Sequence, residues 1–316
     1  MRHYADTEYL HARIHAMRGR LLTLKDYVSM VRDPGPFRDI ADGAHDPVEA
    51  KETVFQGQMT PIIRIAGAAE RYTPLFASFL RQYEASNAKL LMAKAFGRPA
   101  LERWYDIGPW AVLDRSLLRE NLSPKDLRMV LAGTYLDGAI EDISSLERFE
   151  IRLDILSAEN LYRSWATFPA ADKEALRGFV LRRVAVVSLV RQWRLKESYH
   201  WSEERIRHSL ETLHGLFGGL VQPQVKIVEE ALNARLELRR KDGSPVTAVE
   251  DIEHLLEQYF HRWASSVFHR DFHSLSCVVA YLWLLSCQVR NLFRILDGLR
   301  FGLAPEAILE RIVGEA

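Results

Sequence analysis

Histidine and carboxylate at helical spacing are the residues of this chain that come nearest to a reactive centre. Glu197-Ser-Tyr-His200 and Glu211-Thr-Leu-His214 are both Glu-x-x-His. That spacing puts two ligands on one helix face, as di-iron carboxylate bundles require. The copies begin only 14 residues apart, too close to face one another from two full-length helices, and the first runs into a break at Trp201-Ser202. The pair therefore reads as ordinary surface and packing residues. A second group, His254, Glu257, His261, His269 and His273, contains two i,i+4 pairs, Glu257 with His261 and His269 with His273. Each pair could share a face and hold one metal ion. Arg262, His269 and Arg270 make the neighbourhood cationic, which opposes a divalent ion. A helical metalloenzyme built on His254–His273 is the alternative reading of the chain.

Other reactive motifs are missing. There is no GxxxxGK[ST] loop to cradle phosphates, and Gly215, Gly218 and Gly219 in HGLFGGL lack the GxGxxG spacing. GxSxG and HExxH do not occur. Cys277 and Cys287 stand ten apart in an apolar stretch, which is neither a zinc pair nor a redox CxxC, and they read as core. No set of nucleophile, base and orienting group stands out. No cofactor, metal or small-molecule substrate is expected.

The 42 basic and 42 acidic residues of the 316-residue chain cancel, which excludes a generally basic nucleic-acid binder. Two cysteines cannot build a disulfide framework, so a reducing compartment is expected. Met1 to Leu10 is polar and charged, unlike a secretory leader. The run FHSLSCVVAYLWLLSCQV between Asp271 and Arg290 is uncharged but contains His273, three serines and Gln288. It predicts a buried core helix, not a membrane span, which needs about 20 mostly apolar residues.

These residues must be positioned by helices, because strand alternation and hairpin dipeptides are scarce. Thr60-Pro61, Thr73-Pro74 and Ser123-Pro124 each place a capping oxygen before a proline suited to a first helical turn. Thr247-Ala-Val-Glu250 has the form of a capping box. Breaks are expected at Asp33-Pro34-Gly35-Pro36 and at Lys241-Asp242-Gly243-Ser244-Pro245. From Leu75, the series Phe76, Phe79, Leu80, Tyr83, Leu90, Leu91 marks one helical face.

Three long helices align by the pattern at their C-terminal ends. They begin near Phe79, Phe179 and Tyr281, turn polar around Asn87, Ser188 and Asn291, and then carry Lys89 and Lys94, Arg191 and Arg194, and Arg294 and Arg300. Breaks come next, at Gly97-Arg98-Pro99, His200-Trp201-Ser202 and Gly302-Leu303-Ala304-Pro305. Asn87 and Asn291 lie 204 residues apart with Ser188 near the midpoint, so the period is about a third of the chain. That exceeds a solenoid repeat and suggests three helical bundles around a pseudo-three-fold axis, over residues 1–108, 109–212 and 213–316. Arg13, Arg18 and Arg20 lie in a further amphipathic segment, YLHARIHAMRGRLL. Cations at helix ends commonly neutralise the helix dipole or snorkel; the functional alternative is a surface for an acidic partner.

The segment Tyr9-LHARIHAMRGRLL resembles the N-terminal signature of the socket subunit of the rotary A/V-type ATPases, called C in archaeal and bacterial enzymes and d in vacuolar ones. The matching residues are Tyr9, Ala12-Arg13, Arg18, Arg20 and Leu21-Leu22. The family also carries three copies of a helix ending in Asn-Leu, a cationic stretch, then Gly and a short Glu-bearing helix. Asn291-Leu292, Arg294, Gly298, Gly302-Leu303, Glu306 and Ile308 match the last copy, and Asn87, Lys89, Lys94, Gly97, Arg98 and Pro99 the first. The middle copy departs, with Ser188-Leu189 and His200-Trp201. The resemblance implies an all-α, funnel-like protein of three similar bundles. It implies a non-catalytic subunit on the cytoplasmic face of a membrane, between the central-stalk shaft and the proteolipid ring, with the membrane stator as a further neighbour. It leaves open the direction of ATP turnover and whether H⁺ or Na⁺ is coupled. On physical grounds Lys89, Lys94, Arg98, Arg191, Arg194, Arg294 and Arg300 are the candidate partner-binding cations, with Arg13 and Arg18 as second choices.

Overall fold

The computed structural model describes residues 2–35, 37, 47–98, 103–140, 145–241 and 249–314. Among them there are twelve α-helices and no strand. In chain order they are α1 (Arg2–Arg18), α2 (Leu24–Arg32), α3 (Pro47–Ala68), α4 (Thr73–Ala95), α5 (Pro124–Leu131), α6 (Leu146–Ala166), α7 (Ala170–Glu197), α8 (Glu203–Gly215), α9 (Gln222–Lys241), α10 (Val249–Arg270), α11 (Leu275–Arg300) and α12 (Pro305–Glu310). The chain forms two compact units, each assembled from separated stretches. The first contains residues 1–10, 29–164 and 292–308; the second contains 11–28, 165–291 and 309–316.

In the first unit α3 packs on α4, and α4 on α5. Phe55, Met59, Ile62 and Ala66 recur at four, three and four along α3, and all are fully buried. Pro61 lies inside this helix rather than at its start. Thr60 is correspondingly not a cap: its hydroxyl donates to the Gln56 carbonyl at 2.7 Å. A proline costs about 3 kcal/mol in a helix interior, but each large apolar side chain buried on that stripe returns about 1.5–3 kcal/mol. The stripe wins. Thr73 is likewise one residue inside its helix, because the 3₁₀ turn Glu70–Tyr72 delivers it already in helical geometry. Ser123 does cap α5, in a reciprocal box with Asp126 and with Pro124 in the first turn. The expected box depends on Thr247, which lies outside the described residues.

The second unit is built around α7, which packs against α8, α9 and α10. Phe260 of α10 anchors its aromatic core, with ring centroids 4.4 Å from Trp283, 5.1 Å from Trp263 and 5.6 Å from Phe179. Residues 275–289 of α11 are buried without exception. Among the described residues α11 is the one helix long and apolar enough to cross a membrane, and 94% of its most apolar window is buried in the protein. That is the core helix expected from its serines and Gln288. Cys277 and Cys287 are buried thiols within it. Burial, then the Asp271 charge, pushes the Cys277 thiol up to about 12, which keeps it protonated and unreactive.

In the first unit the last short helix sits hard against α11. A Cβ on Gly298 would lie 2.5 Å from Cγ1 and 2.7 Å from Cδ1 of Ile308. Glycine is required there by close approach, not by backbone freedom. Gly298→Ala should cost about 1–3 kcal/mol through overpacking, read as a lower melting temperature. Ile308→Val in the same chain should recover part of the loss, and full additivity of the two changes would show that the contact is not the cause.

Candidate functional site

The three aligned helices share a construction at their C-terminal ends. In α4, Asn87 is fully buried and closes two hydrogen bonds on one residue of the returning chain: Nδ2 donates to the Tyr105 carbonyl, and the Tyr105 amide donates to Oδ1, both at 2.9 Å. In the second unit Asn291 of α11 does the same to Val313, with Nδ2 donating at 2.6 Å and Oδ1 accepting at 3.0 Å. A primary amide is the side chain suited to this, since it offers one donor and one acceptor in the plane a peptide presents. The middle helix has Ser188, which cannot make that pair. Its hydroxyl donates to the Val184 carbonyl at 2.8 Å and accepts from His214 Nε2 at 3.0 Å, while His214 Nδ1 accepts from Gln222 at 2.8 Å. The departure from Asn is thus balanced by a histidine on α8.

Two further buried carboxylates support the first clamp. Glu84 accepts from the Val112 and Leu113 amides at 2.5 and 2.8 Å and from the Tyr135 hydroxyl at 2.6 Å. Burial and the Glu84 charge raise the Tyr135 phenol far above its ordinary value, so it remains a donor. Glu52 accepts from the Trp104 amide at 2.8 Å and pairs with Arg115 at 2.7 Å. The connection from residue 103 towards α5, which contains only short 3₁₀ turns, is therefore held by side chains of α3 and α4.

Beyond each clamp the helix ends in a left-handed residue preceded by an exposed aromatic ring. The sequences are Phe96-Gly97, Tyr199-His200 and Phe301-Gly302, with φ of 67°, 52° and 62° at the second residue. The rings are 36%, 40% and 70% exposed. The outer two ends are Schellman turns. Gly97 bonds back to Lys94 and Arg98 to Ala93; Gly302 bonds to Leu299 and Leu303 to Gly298. The middle end is one residue wider, with Trp201 bonding back to Leu195, and His200 is the one non-glycine residue at positive φ among the described residues. Each helix also carries cations in its last turn, Lys94, Arg194 with Lys196, and Arg300, where they offset the dipole.

The candidate cations divide by environment. Lys89 pairs with Asp154 at 2.8 Å, and Lys94 donates to the Leu118 carbonyl. Arg194 pairs with Glu253 at 2.6 Å, and Arg191 is buried. Arg18 is half-buried, with its guanidinium 5.6 Å from the Phe268 ring, and Arg294 is half-buried. Arg13, Arg98 and Arg300 are exposed, the last lying 5.9 Å from the Phe301 ring. The aromatic caps and Glu84 belong to no motif that the sequence displays, and His214 stands in a Glu-x-x-His pair whose spacing does not reveal its bond to Ser188. One readable signal was a carboxylate and an amide, Glu84 and Asn87, on the buried stripe between Leu80 and Leu91. Another was an aromatic residue directly before each break.

The histidine groups do not converge. Among the described residues no group of three or more His, Cys, Asp or Glu is placed to hold a metal. His254 bonds to Gln258 at 2.8 Å, Glu257 pairs with Arg290, and His269 and His273 face solvent. Glu197, His200 and Glu211 are exposed, while His214 is occupied by Ser188 and Gln222.

Fold and ends together define an all-helical framework protein, whose buried polar groups hold its own backbone and whose three long helices display aromatic caps. A sequence model of the ATP synthase (C/AC39) subunit family matches residues 64–311, a stretch that takes in all three ends. The chain belongs to that family, a subunit family of the rotary V/A-type ATPases. Residues 9–22, with the N-terminal signature, precede the matched stretch. No curated protein matches the chain.

Asn291→Ala would leave the Val313 amide and carbonyl buried without partners, at about 1–3 kcal/mol each. Hydrogen exchange at the Val313 amide should accelerate at least tenfold, with exchange in the first unit unchanged. Asn87→Ala should do the same for Tyr105. His214 supplies a pH test. Burial lowers its pKa below the ordinary 6.5, so the unfolded chain binds a proton that the folded chain resists. Its contribution to stability is complete above about pH 6.5 and declines as pH falls towards the folded pKa. Thermal melts of His214→Gln should be flatter than wild type in that window; an identical slope would assign the acid sensitivity elsewhere.

Proposed function

We propose that this chain is the non-catalytic socket subunit of the central stalk. It links the rotor shaft to the membrane proteolipid ring on the cytoplasmic face and transmits torque between ATP turnover and proton or sodium transport. Three similar bundles, over residues 1–108, 109–212 and 213–316, form a funnel that receives the shaft. The observation that carries this reading is the threefold recurrence of an exposed aromatic ring before a left-handed residue at a helix end, in a member of a rotary-ATPase subunit family. A torque coupler needs packed helices and partner surfaces, not a nucleophile. Here the buried polar side chains pin loops to helices, while aromatic rings and arginines are left at the ends. Tyrosine, phenylalanine and arginine are the side chains that partner surfaces favour.

The exposed cations Arg13, Arg98 and Arg300 supply electrostatic complementarity to acidic partners; the internally paired Lys89, Lys94 and Arg194 hold the framework. Single exposed pairs contribute about 0–1 kcal/mol, so the set matters more than any member. Purification of the tagged protein from its native membranes in mild detergent should recover nucleotide-binding subunits and a ring proteolipid by mass spectrometry. The triple variant Arg13→Glu, Arg98→Glu, Arg300→Glu should bind shaft subunits at least tenfold more weakly and with a reduced salt slope. Unchanged affinity and salt slope would remove these three from the interface. Recovery of no ATPase subunit would overturn the socket reading itself.

A further inference from the structure

The second unit contains a small polar cavity beside the Asn291–Val313 clamp. Its volume is about 180 Å³, and its lining includes Arg18, Thr23, Tyr27, His261, Ser265 and Gln288. Among the described residues no aspartate or glutamate lines it. Two acids close by along the chain are engaged elsewhere: Asp26 accepts from the Thr23 amide and hydroxyl at 2.7 Å, and Glu257, one turn before His261, is held by Arg290. Arg18 thus borders the cavity with no acidic neighbour among the described lining residues. Its guanidinium lies 5.6 Å from the Phe268 ring, and its Nε is buried with no hydrogen-bond partner. A guanidinium in a polar wall has further N–H groups, beyond the enclosed Nε, to offer an acceptor. The polar wall continues with side chains able to donate, among them a hydroxyl from Ser265 and an imidazole from His261.

Size decides the class of ligand. Sites for drug-sized molecules span about 300–1,000 Å³, so this space is too small for a nucleotide. It would hold about six waters at roughly 30 Å³ each, or one tetrahedral oxyanion with a water or two. We infer that the cavity is a binding site for a small inorganic oxyanion of the phosphate class, gripped by Arg18 and flanked by Ser265 and His261. The guanidinium fork matches two oxygens of such an anion in a way an ammonium does not. Binding would tie the end of α1 and the start of α2 to α10 and α11, all within the second unit, and so stabilise the folded chain. The site belongs to the isolated chain and does not depend on a socket role.

The test is a phosphate titration of the purified full-length protein in chloride buffer, followed by thermal melting at matched ionic strength. The melting temperature should rise saturably, by roughly 2–4 °C at phosphate ten times its Kd. Sulfate should act similarly and chloride should not. Arg18→Gln should abolish the rise, while Arg13→Gln, an exposed change outside the cavity, should retain it. An equal rise in Arg18→Gln, or no rise beyond that of matched chloride, overturns the proposal. Should Arg18→Gln fail to fold, phosphorus NMR line broadening on wild type and Arg18→Lys reads binding directly. Saturable broadening in wild type that weakens at least tenfold in Arg18→Lys supports the site, and its absence in wild type leaves the cavity to water alone.

Discussion

A buried peptide group must find a hydrogen-bond partner, and in this molecule that requirement organises the rest. Helices satisfy their own backbone, but the segments that return from the long helices run over buried surface without a sheet to join. Asn87, Glu84 and Glu52 solve the problem in the first unit by reaching out of α3 and α4 to the amides of Trp104, Tyr105, Val112 and Leu113. Asn291 solves it in the second unit by gripping Val313, and Gln288 adds the Leu22 amide at 2.6 Å. These side chains are costly to bury alone. Their acceptance in the core is explained by the backbone groups they complete, and each clamp fixes the path of the chain beyond a helix end.

This arrangement accounts for how much was legible from residue order. Helical class follows from local recurrence, and helix ends at Gly97, His200 and Gly302 follow from local punctuation. Both are properties of a few consecutive residues. Thr60-Pro61 misleads because the proline rule is local while the burial of Phe55, Met59, Ile62 and Ala66 is not. Asn87 and Asn291 are visible as polar points in apolar helices, but their partners lie 18 and 22 residues further on, beyond the reach of any pattern at helical spacing. The metal reading of His254–His273 fails for a related reason. Spacing places side chains on a face, and only packing decides that His254 meets Gln258 and Glu257 meets Arg290.

The cations illustrate how one sequence feature serves two ends. Recurrence of Lys and Arg towards the end of each long helix is real, yet most of those charges are committed inside the fold, to Asp154, to a carbonyl, to Glu253 or to burial. A basic stretch at a helix end is first an answer to the dipole and to loop carbonyls. The arginines that remain exposed, two of them within two residues of an aromatic cap, are a smaller and chemically more specific set than the pattern of charge alone suggests.

The Schellman turns after α4 and α11 have a mechanical consequence. Each places a bulky ring at the tip of a rod, with no hinge between ring and rod. The turn's own hydrogen bonds, at 2.8–3.1 Å, lock the tip to the last helical residues. The 26 residues of α11 make a strut about 39 Å long at 1.5 Å per residue. A push on Phe301 is then carried along that axis as compression shared among many hydrogen bonds, and little of it is lost to bending at a loop. The clamp at Asn291 braces the same strut eleven residues below its glycine. A helix ended this way resists deformation at its tip, where a loop-tipped helix would yield.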